Sequence, residues 1–118
     1  MQNIFIKRIY EPAAESDGFR VLIDRLWPRG MTKENARIDL WMKEIAPSVG
    51  LRKWFNHDPQ KWQQFQHEYF TELTHQPSVK DLAALIHKHK IVTLLYAAKD
   101  EQYNHALVLQ HFLQTLPK

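Results

Sequence analysis

The chain predicts an α/β layered domain with parallel strands, and three observations carry that expectation. Apolar strand-like runs lie near both ends of the chain. A helical middle separates them, and the connections between runs are long, as parallel pairing requires. At 118 residues the chain suits one domain, residues 1–118, around a single core.

The first strand is read from NIFIKRIY, where Ile4, Ile6 and Ile9 recur between Phe5 and Arg8, giving about seven residues. EPAAESDG follows, with Pro12, Asp17 and Gly18, and makes a surface connection. Residues 19–23 (FRVLI) lack a clean polar alternation, which suits a strand covered on both faces. Pro28 cannot continue a sheet ladder and Gly30 permits positive φ, so this strand is expected to end near Leu26. Thr32 is placed to cap a short helical turn. Residues 38–44 read two ways: Ile38, Leu40 and Met42 alternate as in a strand, while Leu40, Trp41 and Ile45 also fit a helix face.

Pro47 ends that segment, and Ser48 caps a turn holding Leu51, Trp54 and Phe55. Asp58-Pro59 is an N-cap followed by proline, opening a long helix with Trp62, Phe65, Tyr69, Phe70 and Leu73 on one face to about Thr74. This aromatic stripe reads as core. Pro77 breaks the helix, and Ser78 with Asp81 reads as a capping box for the next one, through Leu82, Ala83 and Ile86. Residues 91–97 (IVTLLYA) form the second buried strand. Asp100 is then the expected cap of a last helix with Ala106, Leu109, Phe112, Leu113 and Leu116 facing inward.

Composition bounds the function classes. No cysteine is present, so disulfides, thiolate metal sites and a cysteine nucleophile are excluded, in keeping with a reducing, cytoplasmic setting. The N-terminal MQNIFIKRIY lacks a signal-peptide layout, and no apolar run approaches a membrane span. Sixteen Lys and Arg against thirteen Asp and Glu leave a formal net charge of +3. Such a field favours small anions but supplies no basic stripe for nucleic acid.

Ligands of open α/β sheets bind beyond the carboxyl ends of the strands. Two such ends carry the chemistry here: Asp24-Arg25 with Trp27 and Arg29, and Lys99-Asp100 leading into Asn104-His105. Arg25 and Arg29 offer planar forks for phosphate or carboxylate, and Lys99 offers a point charge. His105 is the one side chain there able to exchange a proton near neutral pH, with Asp24 placed to orient an arginine or the histidine. The paired histidines elsewhere lack metal spacing, no glycine-rich phosphate loop exists, and Ser16, Ser48 and Ser78 sit in turns or caps. Neither a metal nor a cofactor is expected.

Taken together, VLIDRLWPRG, WMKEIAPS, LRKWFNHDP and VTLLYAAKDEQYNHA resemble the YeaO-like proteins, a bacterial family of domain of unknown function 488, over almost the whole chain. The resemblance implies a compact three-layer α/β/α, Rossmann-like domain with a small, mostly parallel sheet, and no established activity. Family motif positions matched here include Lys43, Pro47, Ser48, Trp54, Phe55 and His57, besides the two strand ends. Longer relatives carry a cysteine motif near the last helix. Here Tyr96 and Asn104 stand where a thiol would be, so thiol chemistry does not transfer, while His105 holds the matching histidine position.

The reading that follows is a small phosphate- or carboxylate-bearing ligand held by Arg25, Arg29, Lys99, Asn104, Trp27 and Lys43. His105 and Asp24 would be catalytic in a metal-independent hydrolase or transferase. The alternative is a non-enzymatic sensor or interaction module using the same pocket. Nucleic-acid binding ranks last, since no helix-turn-helix pair with a basic second helix is present. Ligand identity, strand order and oligomeric state are not encoded in these motifs.

Overall fold

The computed structural model describes residues 3–117. Its spine is β4 (Ile91–Tyr96), in which every position after the first is buried. Leucine and β-branched side chains on both faces suit a strand flanked on each side by another. β1 (Asn3–Arg8) and β2 (Phe19–Leu22) both pair with it in parallel, and β3 (Leu40–Trp41) pairs in parallel with β2. The order is β1-β4-β2-β3. The two strands whose ends carry the candidate chemistry are thus neighbours running the same way.

The two faces of the sheet are covered very differently. Ile4, Val21, Val92 and Leu94 share one core with α2 (Val49–Phe55), α3 (Trp62–Thr74), α4 (Ser78–Lys88) and α5 (His105–Thr115). The opposite face gathers a smaller cluster around Leu22 and Leu95, closed by Ala36 of α1 (Lys33–Ala36) and by the connections. Ile9 belongs to this second cluster, not beside Ile4 and Ile6. The chain is a single α/β domain with a small all-parallel sheet, whose third layer is one helical turn plus connections.

Where helices are lacking, polar links do the covering. Arg20 of β2 is buried and donates to the carbonyls of Ala36 (2.7 Å) and Arg37 (3.1 Å), so it caps the last turn of α1. Its third contact is the Asp17 carboxylate at 2.5 Å, and Lys7 reaches both Asp17 oxygens at 3.1 Å. The Thr93 hydroxyl donates to the Asp17 carbonyl at 2.7 Å, tying the connection onto the centre of the sheet.

Several local signals hold as read. Thr32 Oγ1 accepts from the Asn35 amide, Ser48 Oγ from Leu51, and Asp58 Oδ1 from Gln60. Pro59 opens a short 3-10 turn that continues into α3. Residues 38–44 resolve into a two-residue strand followed by a 3-10 turn at Lys43–Ile45.

Three expectations are corrected. β2 stops at Leu22, short of Leu26, because the Asp24 carboxylate takes the Ala97 amide (3.0 Å) in place of a further ladder bond. The Ser78 capping box does not form. Pro77 takes the N-cap position with helical angles, which puts Ser78 inside the helix and leaves its hydroxyl buried without a hydrogen-bond partner among the described residues. Asp100 does not cap α5; Asn104 does, accepting from the Leu107 amide at 3.1 Å.

The helical face of α3 is core, as its spacing indicates: Phe65, Tyr69 and Leu73 are buried. Tyr69 is wholly enclosed and donates its hydroxyl to the Ile45 carbonyl at 2.7 Å. Burial first, then the charges of Glu72 and Asp24, pushes this phenol well above its ordinary value, so it stays a donor. Tyr69→Phe leaves that carbonyl without its partner and is expected to cost about 1–2 kcal/mol, read as a lower urea midpoint with an unchanged slope.

Candidate functional site

The carboxyl ends of β2 and β4 meet the start of α5 in a three-way joint. His105 Nε2 lies 3.0 Å from the Ile23 carbonyl oxygen and 3.1 Å from Asp24 Oδ1. A carbonyl can only accept, so the proton is assigned to Nε2 and, in the neutral ring, Nδ1 is the acceptor. The other Asp24 oxygen holds the Ala97 amide, and the Asp24 carbonyl takes the Trp41 indole N–H at 2.7 Å. Asp24 is fixed on both its backbone and its side chain.

The loop from β4 to α5 is fastened along its length. Arg8 donates to the Ala98 carbonyl (2.8 Å) and the Ala97 carbonyl (3.2 Å). Asp100 Oδ1 accepts from the Gln102 and Tyr103 amides, an Asx turn, and the buried Asn104 donates back to the Asp100 carbonyl. Lys99 is left exposed at the bend.

A cleft of about 620 Å³ opens above this joint. Asp24, Arg25, Trp27, Arg29, Lys99, Asn104 and His105 all line it, so seven of the eight expected site residues converge. The eighth, Lys43, does not: its ammonium sits 4.3 Å over the Trp41 ring, held away by that cation–π contact. Arg25 is anchored at the cleft wall by the carbonyls of Ala46 and Pro47, each at 3.2 Å, while its Nε has no hydrogen-bond partner among the described residues. The Trp27 indole N–H donates to Met31 O, and Tyr10 donates to the Arg29 carbonyl, so the turn carrying Arg29 is braced from two sides.

The remaining walls come from residues not singled out as ligand-binding: Arg52 and Phe55 of α2, His57, Phe65 of α3, and Tyr103. His57 follows Asn56, and both have positive φ (55° and 45°), an unusual pair of left-handed residues at the rim. Four permanent cations (Arg25, Arg29, Arg52, Lys99) face two carboxylates (Asp24, Asp100), and both carboxylates already hold backbone amides. Among the described residues, no serine, threonine or cysteine lines the cleft. Among the described residues, no group of three or more His, Asp or Glu is placed to hold a metal ion, and no helix is long and apolar enough to cross a membrane.

A family model described as the inactive DUF488-N3 subclade matches residues 3–117. The chain belongs to that subclade. It is 47% identical to the uncharacterized protein YeaO of Escherichia coli (strain K12) over 115 residues, covering 97% of this chain and 99% of the relative. An uncharacterized protein of Mycobacterium tuberculosis (strain ATCC 25618 / H37Rv) is 36% identical over 111 residues, 94% of this chain and 93% of its own length. No solved structure matches significantly.

Proposed function

We propose that this domain binds a small phosphate- or carboxylate-bearing molecule in the cleft beyond β2 and β4 and leaves it chemically unchanged. The observation that carries this reading is the charge balance: four fixed cations against two carboxylates that are already committed to backbone amides. Arginine forks pair with such groups in a planar, bidentate way, and Arg25 is half-buried while Arg29 and Arg52 stand exposed at the cleft. The family's description as inactive weighs against turnover. In this reading Asp24 and His105 are a joint that holds two strands and a helix in register, and not an acid–base pair. A cysteine-free chain suits a cytoplasmic setting.

Arg29 and Lys99 are exposed and make no ion pair among the described residues, so removing them tests binding without removing structure. Thermal unfolding at low ionic strength is expected to show a rise of several degrees with a fitting anion at about a hundred times its dissociation constant. Arg29→Ala combined with Lys99→Ala is expected to lose that rise while keeping the ligand-free midpoint. An undiminished rise in the double variant would remove these side chains from the site. Chromatography of the recovered ligand is expected to return it intact. A product that disappears with His105→Ala would instead establish the catalytic reading.

A further inference from the structure

Resting on that reading, we infer that the ligand carries a flat apolar ring as well as its anionic group. Size comes first. A cleft of about 620 Å³ lies within the range of roughly 300–1,000 Å³ that organic ligands occupy, far beyond what an inorganic phosphate fills. Wall chemistry comes second. Phe55 and Phe65 stack at 4.3 Å between centroids, and Trp62 links Phe65 (5.7 Å) to Tyr103 (5.4 Å, edge-on), so a continuous aromatic block backs the cleft.

Placement comes third. Two short segments that line the cleft each supply a cation and a ring: Arg52 and Phe55, three residues apart on α2, and Lys99 and Tyr103, four apart on the loop before α5. Tyr103 is only partly buried, and its amide is fixed by Asp100 Oδ1, so its ring is presented on a rigid turn. A ligand that reaches both segments meets a cation and an aromatic ring on each. An aryl phosphate or carboxylate has this chemistry, and so does a mononucleotide.

The test is titration calorimetry of the native protein with inorganic phosphate, phenyl phosphate, benzoate, adenosine 5′-monophosphate and adenosine. Phenyl phosphate or the nucleotide is expected to bind about tenfold or more tighter than phosphate, the gain that one stacked ring gives. Tyr103→Ala is expected to erase most of that gain while leaving phosphate affinity unchanged, and Tyr103→Phe to retain it. The nucleotide against phenyl phosphate separates a base from a simple ring. Equal affinity for phosphate and phenyl phosphate overturns the ring and leaves the anion reading standing. Adenosine binding as tightly as its monophosphate overturns the anion reading. No heat with any of the five overturns both.

Discussion

Gly18→Ala is expected to leave little folded protein at temperatures where the native chain is stable. Gly18 has φ 65° and ψ −135°, a region that essentially only glycine occupies. A Cβ there would lie 2.2 Å from the Ile91 carbonyl oxygen and 2.7 Å from the Ile91 Cβ. Both atoms belong to the first residue of β4, the strand to which β1 and β2 both pair, so neither yields without disturbing the sheet. Backbone strain of about 1–3 kcal/mol adds to overpacking of about 1–3 kcal/mol. Their sum is a large part of the roughly 5–15 kcal/mol that holds a domain together. Gly30→Ala is the internal comparison: φ is 77°, yet nothing lies within 4 Å of the added carbon. That variant is expected to lose only about 1 kcal/mol. Urea midpoints for the pair give the answer, and equal losses would mean that the connection before β2 moves freely away from β4.

The contrast between these two glycines also bears on what a sequence can tell. Both stand in turns and both are legible as breaks, but the close approach of Gly18 to Ile91 joins residues far apart in the chain. The same division runs through the site. DRLWPRG announced itself because an apolar run ends in proline and glycine with two arginines beside them. KDEQYNHA did so because charged groups follow a buried strand. The parallel direction of those strands follows from the long connection between them, but that they are neighbours, the step that brings Asp24 to His105, is not legible, because no motif encodes strand order. Lys43 was misplaced because one-dimensional proximity to Trp41 does not reveal that the ring would hold its ammonium. Arg52, Phe55 and Phe65 become cleft walls only through the packing of α2 and α3 on the sheet, and Tyr103 through the Asx turn before α5; an amphipathic pattern does not say which end of a helix meets a strand end. Asp100 and Asn104 both have cap chemistry four residues apart. Choosing between them required knowing that the loop makes an Asx turn first. Arg20 reads as an interruption in an apolar run. Its three side-chain partners, Asp17, Ala36 and Arg37, show that it is the closing piece of the thinly covered face.

That closing piece gives the other large expected effect. Asp17→Asn keeps the shape of the side chain but removes the negative charge facing Arg20, which is only 4% exposed. Breaking a buried pair from one side costs about 3–5 kcal/mol, because the remaining charge is left uncompensated. We expect a loss near 3 kcal/mol, the lower end, since Lys7 can turn toward water and the Ala36 and Arg37 carbonyls still hold the guanidinium. Combining Arg20→Met with Asp17→Asn is expected to cost less than the sum of the single changes, which a double-mutant cycle measures. The pH dependence has a definite sign. Burial raises the Asp17 carboxyl, but the Ala14 amide, Lys7 and Arg20 together outweigh it and hold the group below its ordinary 3.8. A carboxylate depressed in the folded state binds fewer protons there than in the unfolded chain. Its stabilisation is therefore fully present above the unfolded value near pH 4 and is lost as pH falls through the lower folded value. Thermal midpoints between about pH 2.5 and 7 are expected to fall on the acid side for the native protein and to flatten for Asp17→Asn. An acid limb of unchanged steepness in the variant would assign that sensitivity to other carboxylates and leave Asp17 a merely local contact.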